Sequence, residues 1–412
     1  MRFTTILKIL GAVILFLFVL TQLSEPFQGS SNFCITTTYY LLAICCLLYI
    51  AYCFKKPVYG FVIMGVSVFV SLYFCEVYLR YYLKNPVTYS EIQWGTYQTM
   101  YDCPNNKIST IDPSESPKTL HTNVMTANSS RDYTSPEYTY SGEYTNDLGL
   151  RGPLPKANKK VICALGDSFT ESMGAPADST YPLLLENTIN IYDSNIAVLN
   201  AGVSGNDPFF EFMLLKELAV HNQITDAIFL VNLTDVDDVM SRGGKERFLP
   251  NGSLQFRSGP WWEPIYAISH IFRLVLHKVW DYDYNLMTKD QIVLAEQNAI
   301  NAITNLFSTD VIPWSINNKI RIFIVLQPML SSVNDLDSRY VEMRKQLSSL
   351  KNITFLDIQP RLKNTPSIQD YYWPMDGHFN SSGYKLMAEC IAEKVLKTIK
   401  TDSINSSITS RY

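Results

Sequence analysis

The chain has 412 residues, 47% of them apolar and 17% charged, with a net charge of −4. That length allows one large domain plus additional segments, and a slightly acidic balance gives no footing for nucleic acid. Of the eight cysteines, Cys34, Cys45, Cys46, Cys53 and Cys75 lie in or beside apolar stretches. Cys103, Cys163 and Cys390 show no metal-ligand spacing, so neither a disulfide framework nor a metal centre is indicated.

Three N-terminal stretches, Ile6–Leu23, Ile35–Phe54 and Tyr59–Tyr78, are apolar over about eighteen to twenty residues, enough to cross a hydrocarbon core. Lys8 and Glu76, each near one end of its stretch, are the only charges within them. Met1-Arg2 and Lys8 ahead of an apolar core would also suit a cleaved signal peptide. However, Leu23-Ser24-Glu25-Pro26 lacks a small-x-small cleavage site and two further spans follow. Residues 1–82 are therefore expected to form three transmembrane helices. Arg2, Lys8 and Lys55-Lys56 place the N-terminus and the second turn in the cytoplasm, so the rest of the chain faces outward. Arg80 and Lys84, on the translocated side, run against that bias.

Residues 83–145 are rich in Ser, Thr, Tyr, Asn and Pro without a sustained period, and read as a flexible linker or an irregular cap. From Lys160 onward, short β-branched runs alternate with helical patterns. The runs are Lys160–Leu165, Ile196–Ala201, Asp226–Val231, Ile320–Gln327 and Ile353–Ile358. The helical patterns include Tyr181–Thr188, Pro208–His221, Asp337–Leu350 and Ser382–Ile399. This is the signature of an α/β fold with a parallel sheet covered on both faces, whose sites collect at the carboxyl ends of the strands. The segment 259–301 is too long for an ordinary connection. Trp261-Trp262, Tyr266, Ile268, Phe272, Leu274, Val275 and Val279 give it an apolar helical face, suited to core packing, to resting on a bilayer, or to a lid. Residues 401–412 form a polar tail expected to fray.

Two short motifs fall at strand ends. Gly166-Asp167-Ser168 follows the first strand, with the serine at a helix start where backbone N–H groups favour developing negative charge. A bare N-cap would satisfy the same pattern. Asp376-Gly377-His378 lies close to the C-terminus. Among five histidines, His378 alone has a carboxylate placed to orient it, since Asp376 can accept the Nδ1 hydrogen and leave Nε2 for Ser168. A loop histidine capping the following helix is the bland alternative. A serine activated by such a pair is the arrangement of nucleophilic acyl chemistry.

Four stretches in order carry a resemblance. They are Asn146-Asp147-Leu148-Gly149-Leu150-Arg151-Gly152, Leu165–Glu171, Asn200-Ala201-Gly202-Val203-Ser204-Gly205, and Asp376–Asn380 followed by Gly383. Together they resemble the SGNH, or GDSL-type, superfamily of serine esterases and acyltransferases, over most of a domain at 146–400. The resemblance implies a three-layer, flavodoxin-like α/β domain with Ser168 as nucleophile, His378 as base and Asp376 as its partner. It also implies Gly205 as an oxyanion donor, and no cofactor.

The family's Asn-Asp pair after the third strand is missing. Thr234 stands at the usual Asn and Asn232 two residues earlier, and either could complete the oxyanion hole. Asp235, Asp237 and Asp238 beside them read as solvated loop carboxylates rather than a metal site. The two-residue offset between acid and base is similar to the subset that O-acetylates envelope polysaccharides. The implied protein is a bacterial inner- or plasma-membrane enzyme with a periplasmic or extracytoplasmic domain, cleaving or transferring an acyl group on envelope carbohydrate. Transfer would call for a multispanning acyl-donor partner. A lipid-directed esterase and a catalytically silent glycan-binding protein are the alternatives.

Overall fold

Five apolar runs at the heart of the chain build one parallel sheet. A computed structural model describes residues 39–49, 59–81, 128, 130–156, 159–248, 260–262, 265–266, 269–283, 286–334 and 337–409. It divides into two compact units. One joins Met1–Asn105 with Phe256–Val293, and the other joins Asn106–Gln255 with Leu294–Tyr412.

The second unit opens with an antiparallel hairpin, β1 (Ser130–Thr134) and β2 (Thr139–Tyr144). The parallel strands are β3 (Lys160–Gly166), β4 (Ile196–Gly202), β5 (Ile224–Val231), β6 (Arg321–Leu326) and β7 (Thr354–Asp357). Their spatial order is β4-β3-β5-β6-β7. The chain leaves β3 for β4 on one side and then crosses to β5 on the other. This order is the flavodoxin-like one, and it opens a crevice at the carboxyl ends of β3 and β5.

Both sheet faces are dry because the strands are apolar throughout rather than alternating. Ile162, Ala164, Val198, Ile228, Leu230, Phe323 and Val325 face one helical layer. That layer includes α3 (Tyr181–Asn190) and α9 (Ser381–Thr409), which contribute Tyr181, Leu185, Tyr384, Met387 and Ile391 to the same core. The tail expected to fray after residue 400 continues this last helix through Thr409. Between β3 and α3 lies a single turn, α2 (Ser168–Glu171). Three further helices, α4 (Pro208–His221), α5 (Leu233–Arg242) and α8 (Ser338–Ser348), belong to the crossovers. Cys163 and Cys390 are buried core residues.

The first unit bears on the expected membrane spans. Ile6–Leu23 lies outside the described residues. Of Ile35–Phe54, Tyr39–Tyr49 is helical, and the rest lies outside the described residues. The third stretch is α1 (Tyr59–Tyr81), the one described helix long and apolar enough to cross a membrane. Tyr40 packs edge-on against Phe69 and Tyr73 of α1. The segment 259–301 is divided. Its first part, with α6 (His270–Lys278), belongs to this unit. Helix α7 (Lys289–Leu306) runs into the second unit, where it buries Ala299, Ile300 and Ile303.

Helix α4 brings one carboxyl into the interior. Glu211 is fully buried and neither of its oxygens has a hydrogen-bond partner. Burial pushes its carboxyl well above the usual range, and the charges of Asp167 and Asp207 add to the shift. Between the ordinary value of 4.5 and the raised folded value, the unfolded chain releases this proton while the folded chain keeps it. Stability from this group therefore falls as pH rises through that window, by about 1.4 kcal/mol per pH unit. Urea unfolding at about pH 5 and about pH 8 should show Glu211→Gln gaining on the parent chain as pH rises.

Candidate active site

The turn after β3 sets the position of Ser168. Asp167 caps α2, its Oδ1 accepting from the Phe169 amide at 2.8 Å. The turn lies so close to β4 that a Cβ on Gly202 would fall 2.0 Å from the Glu171 nitrogen, which is why glycine stands there.

Across the crevice, the loop before α9 brings in His378. Gly377 is in the left-handed region at φ 83°, a conformation that lets the side chains on either side of it turn toward each other. His378 Nδ1 lies 2.5 Å from Asp376 Oδ1, and His378 Nε2 lies 2.7 Å from Ser168 Oγ. The three residues singled out in the sequence therefore form one continuous hydrogen-bonded chain. Phe169, itself buried, packs against the imidazole at 4.8 Å between ring centres. The His378 imidazole, bonded to the Asp376 carboxylate, holds that carboxyl below its usual range. Partial burial opposes this, and the Tyr138 hydroxyl assists it.

The residues read as oxyanion donors are placed differently. Asn232 is the N-cap of α5 and not part of β5; its Oδ1 accepts from the Thr234 amide at 2.7 Å. Its Nδ2 donates to Asp167 Oδ2 at 2.9 Å, and the Thr234 hydroxyl lies 2.9 Å from the same oxygen and 2.5 Å from Asn232 Oδ1. Both side chains thus serve the carboxylate beside Ser168. Gly205, at φ 69°, lies in the loop after β4.

The neighbouring acids, expected as solvated loop carboxylates, are on a helix instead. Asp235 is buried and closes the capping box of α5 through the Asn232 amide, at 2.8 Å. Asp237 pairs with Arg339 at 3.1 Å. Burial raises Asp237 to about 6, against the pull of Arg339. The local hydrophobic period of α5 was masked in the sequence by three aspartates in four positions.

Sequence reasoning missed the hairpin. Residues 128–145, taken as the end of a linker or irregular cap, supply β1, β2 and two supports of the site. The Tyr138 hydroxyl donates to Asp376 Oδ2 at 3.2 Å, and Glu137 Oε2 accepts from the Met375 and Asp376 amides at 2.9 and 2.8 Å. The Tyr138 ring lies 5.4 Å from both Tyr140 and Trp373. From β1, the Tyr133 hydroxyl donates to buried Glu171 at 2.5 Å. Glu171 Oε2 accepts from the Ser204 amide at 2.9 Å and the Ser204 hydroxyl at 2.5 Å. Glu171 therefore ties the turn that carries Ser168 to the loop that carries Gly205. Arg151 braces the same turn, donating to the carbonyls of Glu171, Ser172 and Ala175. The alternation of Tyr133, Tyr138 and Tyr140 was the available signal, hidden by a Ser-Pro-Glu turn and polar neighbours.

No family model matches the chain, and no curated protein does. Solved structures with a similar course include a protein described as a lipolytic member of the G-D-S-L family from Desulfitobacterium hafniense. It is 17% identical, with 57% of this chain and 99% of that one covered and a TM-score of 0.33. A two-domain esterase active on acetylated mannans is 13% identical, with 60% and 52% covered and a TM-score of 0.36. The match thus spans about half of that esterase. A psychrotrophic esterase from a Pseudoalteromonas species is 13% identical, with 59% and 100% covered and a TM-score of 0.33. None of the three reaches a TM-score of 0.5, so the functional reading rests on the side chains of this chain.

Removing the Tyr138 hydroxyl has a defined consequence for Asp376. A hydrogen bond to a charged group contributes about 1.5–3 kcal/mol. Tyr138→Phe, which keeps the ring stack, should raise the Asp376 titration midpoint. A carbon-13 NMR titration of the labelled carboxyl reads that midpoint directly.

Proposed function

We propose that the chain is an SGNH-type serine esterase or O-acyltransferase anchored in a membrane, acting on acyl esters of cell-envelope carbohydrate. The observation that carries this reading is the unbroken run from Ser168 Oγ through the His378 ring to Asp376, at 2.7 and 2.5 Å. The α1 helix supports the anchor, and the short Asp-Gly-His offset, with its likeness to envelope O-acetylating enzymes, supports the substrate class.

In the proposed reaction, Ser168 Oγ attacks the acyl carbonyl carbon while His378 Nε2 takes the hydroxyl proton. Asp376, held ionised by its depressed titration, fixes the imidazole with Nδ1–H toward itself and stabilises the cation that forms. The backbone N–H groups of Ser168 and Gly205 are the proposed donors to the oxyanion. Thr234 and Asn232 contribute by fixing Asp167 and, through it, the start of α2. Collapse breaks the ester C–O bond, and His378 returns the proton to the departing alcohol. The acyl-serine is then attacked by water or by a sugar hydroxyl, whose proton passes to His378 Nε2 and on to Ser168. Hydrolysis and transfer use the same residues; transfer adds the requirement for an acyl-donor membrane partner.

Labelling with a fluorophosphonate probe tests the assignment. The parent chain should label, and Ser168→Ala and His378→Ala should lose labelling while keeping their folds by circular dichroism. An unlabelled parent chain would leave the silent glycan-binding reading in its place. With an acetylated glycan oligomer as substrate, acetate release against acetyl transfer separates the two enzyme readings. Loss of Ser168 or His378 should lower either rate by at least about a thousandfold.

A further inference from the structure

The inserted segment carries an unassigned apolar surface, and we infer that it is an interfacial collar whose partner is the headgroup and upper acyl zone of a phospholipid bilayer. This rests on the reading of α1 as a membrane span, and concerns the first compact unit alone.

The link between span and collar is one buried carboxylate. Glu76 is the only charged residue in the candidate span Gly60–Leu79, placed near its C-terminal end, and is 1% exposed. A carboxylate at such a position is costly unless its oxygens are satisfied. They are satisfied by the beginning of α6. Glu76 accepts from the Ser269 hydroxyl, from the His270 amide at 2.8 Å and from the Ile271 amide at 3.1 Å. These N–H groups belong to the first turn of a nine-residue helix, the end at which a negative charge is favoured. Glu76 thereby latches α6 to the span within about one turn of its last residue, Leu79. Arg273, fully buried, secures the latch from inside by donating from Nε to the Tyr266 carbonyl at 2.6 Å.

A segment fixed at that point lies at the depth where hydrocarbon gives way to water, and its side chains suit that zone. Trp261 is 86% exposed, Val279 70% and Trp280 54%, with Ile265 also exposed. The aromatic rings are continuous. Trp262 meets Phe272 at 5.7 Å, and Phe272 meets Trp280 at 6.1 Å. Exposed Lys278 flanks Val279 and Trp280, placing an ammonium where lipid phosphates lie. Exposed tryptophans with an adjacent cation, at the end of a span, form the pattern by which membrane proteins settle at the lipid–water boundary. In water the same surface would be an apolar patch without cover.

The full chain, reconstituted into phosphatidylcholine vesicles with bromine at a shallow or a deep acyl position, tests this by tryptophan quenching. The expected result is co-flotation with the vesicles and stronger quenching by shallow than by deep bromine. The double substitution Trp261→Phe and Trp280→Phe should abolish at least half of the shallow quenching. Co-flotation with equal quenching in the parent and the doubly substituted chain would overturn the collar and leave the span intact. If Trp261→Cys then cross-linked between chains, a second copy would be the occupant. Failure to co-float would overturn the span and the collar together. The latch has its own readout: Glu76→Ala should increase hydrogen exchange at least tenfold at the Ile271 amide, with no change at the β6 amides. Unchanged exchange at Ile271 would remove Glu76 from the account.

Discussion

The contact on which the second unit turns is the bond between Ser168 Oγ and His378 Nε2, which joins residues 210 positions apart at 2.7 Å. Neither partner is held by its own side chain's preferences. Ser168 is where it is because β3 ends in a turn that β4 lets approach closely, through the bare Cα of Gly202. His378 is where it is because the Trp373–Asn380 loop folds back on itself. The Trp373 amide donates to the His378 carbonyl at 2.8 Å, and the Gly377 amide donates to the Trp373 carbonyl at 2.8 Å. The loop is pinned to the nucleophile's own neighbourhood by Trp373 Nε1, which donates to the Gly174 carbonyl at 2.7 Å. A small shift of the loop would therefore strain several backbone bonds at once. In the proposed mechanism positional tolerance is tight, because misplacement by about 1 Å costs orders of magnitude in rate.

The hairpin gives this loop a second wall. Tyr138 and Glu137 hold Asp376 by its carboxylate and its amide, while Tyr133 reaches the far side of the site through Glu171. The turn end of one short hairpin thus touches Asp376 through Tyr138 and, through Tyr133 and Glu171, the turn that carries Ser168. Glu171 carries the effect further, since both of its oxygens are used: one by Tyr133 and the other by the Ser204 amide and hydroxyl. In the proposed mechanism the Ser204-Gly205 loop is an oxyanion wall, so the hairpin bears on every proposed group of the site.

What the sequence disclosed follows from how strongly each part is over-determined. The strands from Lys160 to Asp357 were legible because burial on both faces demands unbroken β-branched runs, and their observed limits differ by at most two residues from those read. Ser168, Asp376 and His378 could be singled out because few residue types suit the proposed chemistry, and the structure brings the three together. The hairpin was not, since Ser130–Tyr144 packs only part of its surface and carries polar residues on the rest. Tyr138 looks like any other tyrosine until Asp376 is placed beside it. Nor could the partition of 259–301 be read, because an apolar helical face looks the same whether a core, a membrane helix or lipid will cover it. Glu76 held the clue, as a charge near the end of a span that needs partners from elsewhere in the chain.

The placement of Asn232 and Thr234 is explained by the acids around them. Asp167 is nearly inaccessible to water and lies near Glu211 and Asp235, whose carboxyls burial pushes well upward. A carboxyl in so dry a region is costly to bury without hydrogen-bond partners. Asp167 has the Phe169 amide and Asn232 Nδ2, with the Thr234 hydroxyl shared between Asp167 Oδ2 and Asn232 Oδ1. Glu211 has none, and burial pushes its carboxyl well upward. A donor from the end of β5 aimed at the substrate would leave Asp167 with fewer partners, and α2 with a weaker cap. The chain has spent its β5-end donors on the foundation of the nucleophile's turn, which leaves backbone amides as the natural source of charge stabilisation above it.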